Sequence, residues 1–222
     1  MALEGVILDV DGTLVLSNDA HATSWVEAFA AYDLEVPFEK VRPLMGMGGD
    51  QLIPKVVPEL NSEEGTGKAI AQLRKQLLFN KFIPQITAAN GSRELILKMQ
   101  KLGLHLVVAS SASSEELDIM LKIAQVDDLL SEVTTSDDAE ASKPAPDIVQ
   151  AALKKGQMTP DKVVMLGDSP YDIESAGKAG VGVIALRCGG FNDQQLSGAL
   201  AIYDDPKDLL RHYDSSILGA NT

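Results

Sequence analysis

Residues 6–14 read Val6-Ile7-Leu8-Asp9-Val10-Asp11-Gly12-Thr13-Leu14, an aliphatic run that ends in two aspartates, a glycine and a threonine. The aliphatic residues predict a buried strand, and the glycine after them predicts a turn at its end. Asp9 and Asp11 would then lie beside an apolar core, where desolvation and mutual repulsion raise their energy unless a cation is near. The alternative interpretation is one helix cap and one turn aspartate.

The alternation of strand and helix patterns predicts the fold class. Short β-branched or aliphatic runs, each followed by a helical pattern, lie at 6–8, 104–109, 163–166 and 181–185, with weaker ones at 132–134 and 201–203. Strands that alternate with helices indicate an α/β fold with a parallel sheet covered by helices on both faces. In such folds the carboxyl ends of the strands carry the chemistry, so we expect the polar residues that follow the strands to form the functional site.

One interval breaks this alternation. Between about residue 15 and residue 90 the sequence shows helical patterns, the best of them at 20–32 and 63–82, and no convincing strand. The block is too long for a strand-to-helix connection, which usually takes about 2–6 residues. We interpret it as an all-helical insertion after the first strand.

Composition and charge exclude several classes of protein. Of the 222 residues 45% are hydrophobic and 23% charged, as in a soluble globular chain with one domain or a domain with an insertion. A net charge of −13 disfavours a nucleic acid partner. No apolar run approaches the roughly 18–20 residues of a membrane span, so we expect no membrane partner. The single cysteine, Cys188, cannot form an internal disulfide, which agrees with a reducing, cytoplasmic location.

Two further aspartates favour a functional role for Asp9 and Asp11 over the interpretation as a helix cap and a turn residue. Asp168 and Asp172 follow the apolar run at 163–166 and open a helical pattern. In a parallel sheet the carboxyl ends of the strands share one edge, so Asp168 can meet Asp9 and Asp11 there. Clustered carboxylates without a His or Cys cluster favour a hard ion, and Mg²⁺ fits best because it combines one or two carboxylates with waters and phosphate oxygens. A helix-capping role for Asp168 is the alternative.

Two other places suit an anionic ligand. Lys143 precedes a rigid Pro-Ala-Pro segment that starts a helical pattern, where it could hold a phosphate and reduce the repulsion among the carboxylates. Taken alone, a lysine is more often a solvated surface charge. Ser110 and Ser111 close the run at 104–109 and lead into a helix, so hydroxyl and amide groups converge on a predicted anion site.

These four motifs, in this order, resemble those of the haloacid dehalogenase (HAD) superfamily. The resemblance rests on Asp9-Val10-Asp11-Gly12-Thr13, Ser110 after a strand, Lys143, and Gly167-Asp168 with Asp172, and it covers nearly the whole chain. By pattern the chain is most similar to phosphoglycolate phosphatases and β-phosphoglucomutases. The resemblance implies a Rossmann-like core of residues 1–15 and 88–222, and a mobile helical cap of residues 16–87 over the site.

The resemblance also implies a role for each motif residue. It makes Asp9 the nucleophile that accepts a phosphoryl group and Asp11 the general acid and base. The implied Mg²⁺ ligands are Asp9, Asp11, Asp168 and Asp172. Asp11 would bind the ion through its backbone carbonyl, and Asp172 would either bind it through a water molecule or orient Lys143. The implied phosphate-binding residues are Ser110, Ser111 and Lys143. The expected function is a Mg²⁺-dependent phosphatase that acts on a small phosphorylated metabolite.

Other activities stay open. The aspartate at position 11 disfavours dehalogenases and phosphonatases, whose reactions do not need this acid. A sugar phosphomutase of the β-phosphoglucomutase type is the main alternative, because His21 and Trp25 look like mutase residues. Against it, Gly49 stands where those enzymes carry a cap arginine, and the motif at 167–172 has the phosphatase form. A non-enzymatic phospho-aspartate signalling module is a third possibility, but such modules lack a helical insertion after the first strand.

Candidate substrate contacts lie on the insertion. They are His21, Arg42 and the loop at 46–50, which includes Gly48 and Gly49. We expect at least one of them to face the site when the insertion is closed over the sheet. Further basic candidates are Lys55, Lys68, Arg74, Lys75 and Lys81, most of which we interpret as solvated charges on helix faces. The sequence carries no signal for an oligomeric state.

Overall fold

The computed structural model describes residues 3–219 and has an α/β architecture. The strands are β1 (Gly5–Leu8), β2 (Val15–Leu16), β3 (Thr87–Ala88), β4 (His105–Ala109), β5 (Val133–Thr134), β6 (Val163–Gly167), β7 (Gly182–Leu186) and β8 (Ala201–Tyr203). Six of them form a sheet in the order β5-β4-β1-β6-β7-β8, and every pairing in it is parallel. The predicted fold class is confirmed, including the two weaker strand patterns.

Helices cover both faces of this sheet. They are α1 (Asn18–Ala30), α2 (Phe38–Val41), α3 (Gly49–Val56), α4 (Gly65–Leu77), α5 (Ser92–Lys101), α6 (Ser114–Ile123), α7 (Asp147–Lys155), α8 (Pro170–Lys178) and α9 (Pro206–Arg211). Alternate side chains of β1 point to opposite faces. Val6 and Leu8 pack with the buried residues of α5, α6 and α9, whereas Ile7 packs with those of α7 and α8. A strand buried on both faces explains the continuous aliphatic run in the sequence.

The inserted segment is helical, with one correction at its ends. The helix predicted at 20–32 is α1, and the one predicted at 63–82 is α4 followed by a π-type turn at Leu78–Phe82. The expectation of no strand between residues 15 and 90 was wrong, because β2 and β3 pair antiparallel, with Val15 opposite Ala88. Strands of two residues are too short to produce a hydrophobic alternation in the sequence.

The insertion has a core of its own and lies over the sheet's carboxyl edge. Trp25 and Phe29 of α1 stack with ring centroids 5.8 Å apart, and they pack against buried residues of α3 and α4. Tyr171, at the start of α8, donates a hydrogen bond from its hydroxyl to the carbonyl of Pro43 in the insertion, at 2.8 Å. In the part of the chain that the structure describes, no helix has the length and apolar character to cross a membrane.

Candidate active site

The site begins at the turn that follows β1. The Asp9 amide donates to the carbonyl of Leu166 on the neighbouring β6, which fixes the aspartate between two strand ends. Gly12 has φ +81°, a left-handed conformation that L side chains rarely adopt. A Cβ at this position would lie 2.3 Å from an Asp168 carboxylate oxygen, so the turn requires glycine for close approach as well.

Three carboxylates and one ammonium group meet at this edge. Asp9, Asp168 and Asp172 are buried, and each offers an oxygen within 4.8 Å of the other two. Lys143 is only 1% exposed. Its Nζ donates to Asp9 Oδ1 at 2.6 Å and lies 2.8 Å from Asp172 Oδ1. The sequence-predicted residues of three separate motifs therefore form one cluster.

The charges of this cluster are not balanced by its own residues. Burial raises the pKa of Asp9 from 3.8 to about 7, against the opposing effect of Lys143. Burial and the charges of Asp172 and Asp9 also raise the pKa of Asp168 well above its ordinary value. Burial alone would lower the pKa of Lys143, but the two neighbouring carboxylates outweigh it and raise that pKa. A further cation would relieve the remaining repulsion, and a site of carboxylate oxygens suits a hard divalent ion.

Asp172 also orders the local backbone. Its Oδ2 accepts hydrogen bonds from the Ser169 hydroxyl at 2.6 Å and from the Ser169 amide at 3.0 Å, and the Ser169 hydroxyl caps the start of α8 in return. Its other oxygen faces Lys143. Both oxygens of Asp172 are thus engaged, an arrangement that suits the orienting role rather than direct metal binding.

Asp11 points to the insertion instead of the carboxylate cluster. Its Oδ1 accepts a hydrogen bond from the Ser17 hydroxyl at 2.6 Å and lies 2.8 Å from His21 Nε2 on α1. Burial would raise the pKa of Asp11, but His21 and Ser17 outweigh it and lower that pKa to about 2. Arg74 of α4 contacts His21 Nδ1 at 2.5 Å and donates to Glu116 of α6 at 2.5 Å.

The two predicted serines lie beside the cluster. Ser110 is buried at the end of β4, and its hydroxyl accepts a hydrogen bond from the Ala112 amide at 3.1 Å. The Ser111 hydroxyl accepts one from the Lys143 amide at 3.4 Å. Both residues line the same cavity as Asp9 and Asp11.

A cavity of about 420 Å³ lies between the sheet edge and the insertion. Of the candidate substrate contacts, His21, Gly48 and Gly49 line it, so the structure places part of the insertion over the catalytic candidates. Arg42 is not among the lining residues. Its guanidinium donates to the Gly189 carbonyl at 2.6 Å and to Asp19 at 2.5 Å, where it joins the insertion to the loop after β7.

Several polar partners of the site were missed by the sequence reasoning. The Thr13 hydroxyl donates to Asp9 at 2.9 Å and to Asp168 at 3.2 Å, and the Asn18 amide donates to Asp168 at 2.8 Å. Thr13 directly follows the aspartate motif and could have been found from that position. Asn18 and Glu116 carry no local signal, because only the fold brings them to the site.

The fold and the site together define an α/β enzyme class with an acidic cluster at the sheet edge and an inserted helical segment above it. The chain belongs to the haloacid dehalogenase-like hydrolase family, whose model matches residues 6–186.

Individual proteins are similar to this chain in fold or in sequence. A hydrolase from Pseudomonas syringae has a TM-score of 0.88 at 29% identity, and the match covers 95% of this chain and 98% of that one. A β-phosphoglucomutase from Clostridium difficile has a TM-score of 0.83 at 16% identity, with 98% of each chain covered. The pyrophosphatase PpaX of Bacillus thuringiensis (strain Al Hakam) is 23% identical over 187 residues, which are 84% of each sequence.

Proposed function

We propose that this chain is a Mg²⁺-dependent phosphatase that hydrolyses a small phosphorylated metabolite through a phosphoryl group carried on Asp9. The observation that supports this proposal most is the environment of the Asp9 carboxylate. Its carboxylate lies against Lys143 in a cluster of three carboxylates, and it opens to a cavity shared with Asp11. A small ligand fits such a concave, partly polar cavity.

The residues present fit a magnesium ion. Asp9 and Asp168 offer buried carboxylate oxygens, and burial with the neighbouring carboxylates raises both pKa values, so a bound cation would stabilise their ionised forms. Oxygen donors of this kind are the usual protein ligands of Mg²⁺. In the proposed site Asp9, Asp168 and the Asp11 carbonyl hold the ion, and Asp172 orients Lys143. When bound, the ion supplies positive charge that neutralises the phosphoryl oxygens.

The first half-reaction assigns one role to each aspartate. The Asp9 carboxylate attacks phosphorus, a P–O bond to Asp9 forms, and the bond to the alcohol oxygen breaks. Asp11 gives that oxygen a proton, so the alcohol leaves as a neutral molecule. Because its pKa is lowered to about 2, Asp11 is ionised before the substrate binds. It therefore takes this proton from the phosphate group of the bound phosphomonoester monoanion and then donates it to the alcohol oxygen.

The second half-reaction uses the ionised form of Asp11. Asp11 takes a proton from a water molecule while the water oxygen attacks phosphorus and the bond to Asp9 breaks, which releases phosphate and restores the Asp9 carboxylate. Asp11 then loses its proton to solvent as phosphate leaves, which returns it to the ionised form. Lys143 and the hydroxyl groups of Ser110 and Ser111 would stabilise the charge on the phosphoryl oxygens in both steps. The closed segment of residues 16–87 would act as the cap that limits access of bulk water.

A sugar phosphomutase is the second candidate. The contact between His21 and Asp11 at 2.8 Å favours it, because a histidine at this place links cap closure to the acid/base residue. Gly49, which lies against the Trp25 ring, supplies no cation of the kind a mutase cap carries. The pyrophosphatase activity named for the Bacillus relative supports phosphoryl transfer to water in this chain.

The test is turnover of phosphomonoesters with excess Mg²⁺ and with a chelator. We expect release of many equivalents of phosphate with Mg²⁺ and none with the chelator. Asp9→Asn should abolish turnover and keep the circular dichroism spectrum, whereas Asp118→Asn, an exposed change on α6, should leave turnover intact. Activity retained in Asp9→Asn would refute the mechanism. Isomerised sugar phosphate instead of free phosphate would indicate the mutase, and one equivalent transferred and held would indicate a signalling module.

A further inference from the structure

The wall of the cavity between the sheet edge and the insertion is acidic well beyond the proposed catalytic aspartates. It also includes the carboxylates of Asp50, Glu63, Glu116 and Glu140. Glu63 and Glu140 are exposed and so lie at the rim, and Asp50 is half-buried. Asp50 Oδ2 accepts a hydrogen bond from the Ser142 amide at 3.1 Å, which joins the insertion to the core.

The two basic side chains of the wall, Arg74 and Lys75, are already paired. Arg74 donates to Glu116 and contacts His21, each at 2.5 Å. Lys75 Nζ lies 2.8 Å from Glu115 Oε2. Among the described residues that line the cavity, no further lysine or arginine occurs. The positive charges of the described wall are thus offset by carboxylates of α6, and the buried Nε of Arg74 is the part of them that has no hydrogen-bond partner.

The rest of the insertion's wall is neutral. It consists of Gly46, Gly48 and Gly49 together with the side chains of Asn18, Trp25, Met45, Met47, Ser62 and Ala71. The start of α3 at Gly49 is a place where backbone amides could attract an anion. Asp50 lies in the first turn of that helix and lines the same cavity, so its negative charge offsets the attraction.

We infer that the substrate is a phosphomonoester whose leaving group is neutral or carries an amine, and that the cavity discriminates against esters with a second anionic group. This inference rests on the proposed function. The transferred phosphoryl group has Mg²⁺ and Lys143 to neutralise it, whereas a carboxylate or second phosphate on the leaving group would face Asp50 and the rim glutamates without a partner. Like charges held close together in a partly water-excluded cavity repel each other.

The first experiment compares esters of similar size and different charge. Phosphoethanolamine is paired with phosphoglycolate, and glycerol 3-phosphate with 3-phosphoglycerate, at constant free Mg²⁺. We expect kcat/KM to be at least about tenfold higher for the first member of each pair, a difference of about 1.4 kcal/mol. Equal or higher kcat/KM for the anionic members would overturn the inference and leave the proposed function standing. No turnover of any ester would overturn the proposed function, and the inference with it.

The second experiment removes one charge from the wall. In Asp50→Asn the amide oxygen can still accept the hydrogen bond from the Ser142 backbone, so the junction between insertion and core is kept. We expect the ratio of kcat/KM for phosphoglycolate to that for phosphoethanolamine to rise about threefold or more. Added salt should reduce the discrimination in the wild type.

The matched control is Glu59→Gln, which removes an exposed carboxylate of the insertion outside the cavity wall. This variant should keep the wild-type ratio. A purely structural effect of Asp50→Asn would change kcat/KM for both esters by the same factor. An unchanged or lower ratio in Asp50→Asn would therefore overturn the inference that the wall charge sets the preference.

Discussion

The substitution Asp9→Asn should stabilise the metal-free protein at neutral pH although it removes the proposed nucleophile. Burial raises the pKa of Asp9 from 3.8 to about 7 in the folded chain. In the unfolded chain the carboxyl group has its ordinary pKa, so between these values the folded state holds a proton that the unfolded state has released. The free energy of unfolding of the metal-free wild type therefore falls as pH rises through this window.

The size of the effect follows from the two pKa values. The full rise in pKa corresponds to at most about 4 kcal/mol of lost stability at pH 7. An asparagine cannot ionise, and Lys143 keeps its contacts with Asp172 and with the Ala109 carbonyl at 2.9 Å. The poorer hydrogen bonding of an amide beside Lys143 and Thr13 costs about 1–2 kcal/mol. We expect a net gain of roughly 2 kcal/mol in the variant at about pH 7 and no gain at about pH 4.

Urea unfolding followed by circular dichroism measures this directly. The wild type and Asp9→Asn are compared with a chelator and with excess Mg²⁺, at both pH values, with Asp118→Asn as the control that should not change the pH dependence. Mg²⁺ should stabilise the wild type more than Asp9→Asn, because a neutral amide is a weaker Mg²⁺ ligand than a carboxylate and a ligand that binds the folded state more tightly stabilises it more. The reasoning would be refuted if, without metal, the difference in unfolding free energy between Asp9→Asn and the wild type were the same at pH 7 as at pH 4.

Three other substitutions test separate parts of the site. Asp11→Asn should slow both half-reactions by about 10²–10⁴-fold, measured as release of alcohol and of phosphate under single-turnover conditions; an unchanged rate of either step would remove Asp11 from it. Gly12→Ala should lower stability by about 1–3 kcal/mol in urea unfolding, because of the left-handed backbone and the contact with Asp168, and a neutral effect would contradict that geometry. Arg74→Met leaves the carboxylate of Glu116 buried without its ion-pair partner, so we expect a loss of about 3–5 kcal/mol in urea unfolding. The pair also joins α4 of the insertion to α6 of the core, so we expect a higher KM, and a wild-type KM would show that this contact does not position the insertion over the cavity.

The motif order was sufficient to predict which polar residues meet at the carboxyl edge of the sheet. Each motif is a short polar segment after a buried strand, and parallel strands bring their carboxyl ends to one edge whatever the details of the helices between them. This is why Asp9, Lys143 and Asp168 could be placed together from the sequence, although they are far apart in the chain. The helical insertion could also be predicted, because about 75 residues without strand patterns, between residues 15 and 90, are too many for a strand-to-helix connection.

The tertiary structure alone decided which side chains of the insertion meet that edge. His21 and Arg42 were equivalent candidates by sequence, yet His21 contacts Asp11 whereas Arg42 binds the Gly189 carbonyl outside the cavity. Arg74 had the pattern of a solvated helix charge and is instead held between His21 and Glu116. Helical periodicity indicates which face of a helix is buried in the core of the insertion. The orientation of the whole insertion over the sheet depends on contacts between residues that are distant in the chain, so no local sequence pattern predicts it.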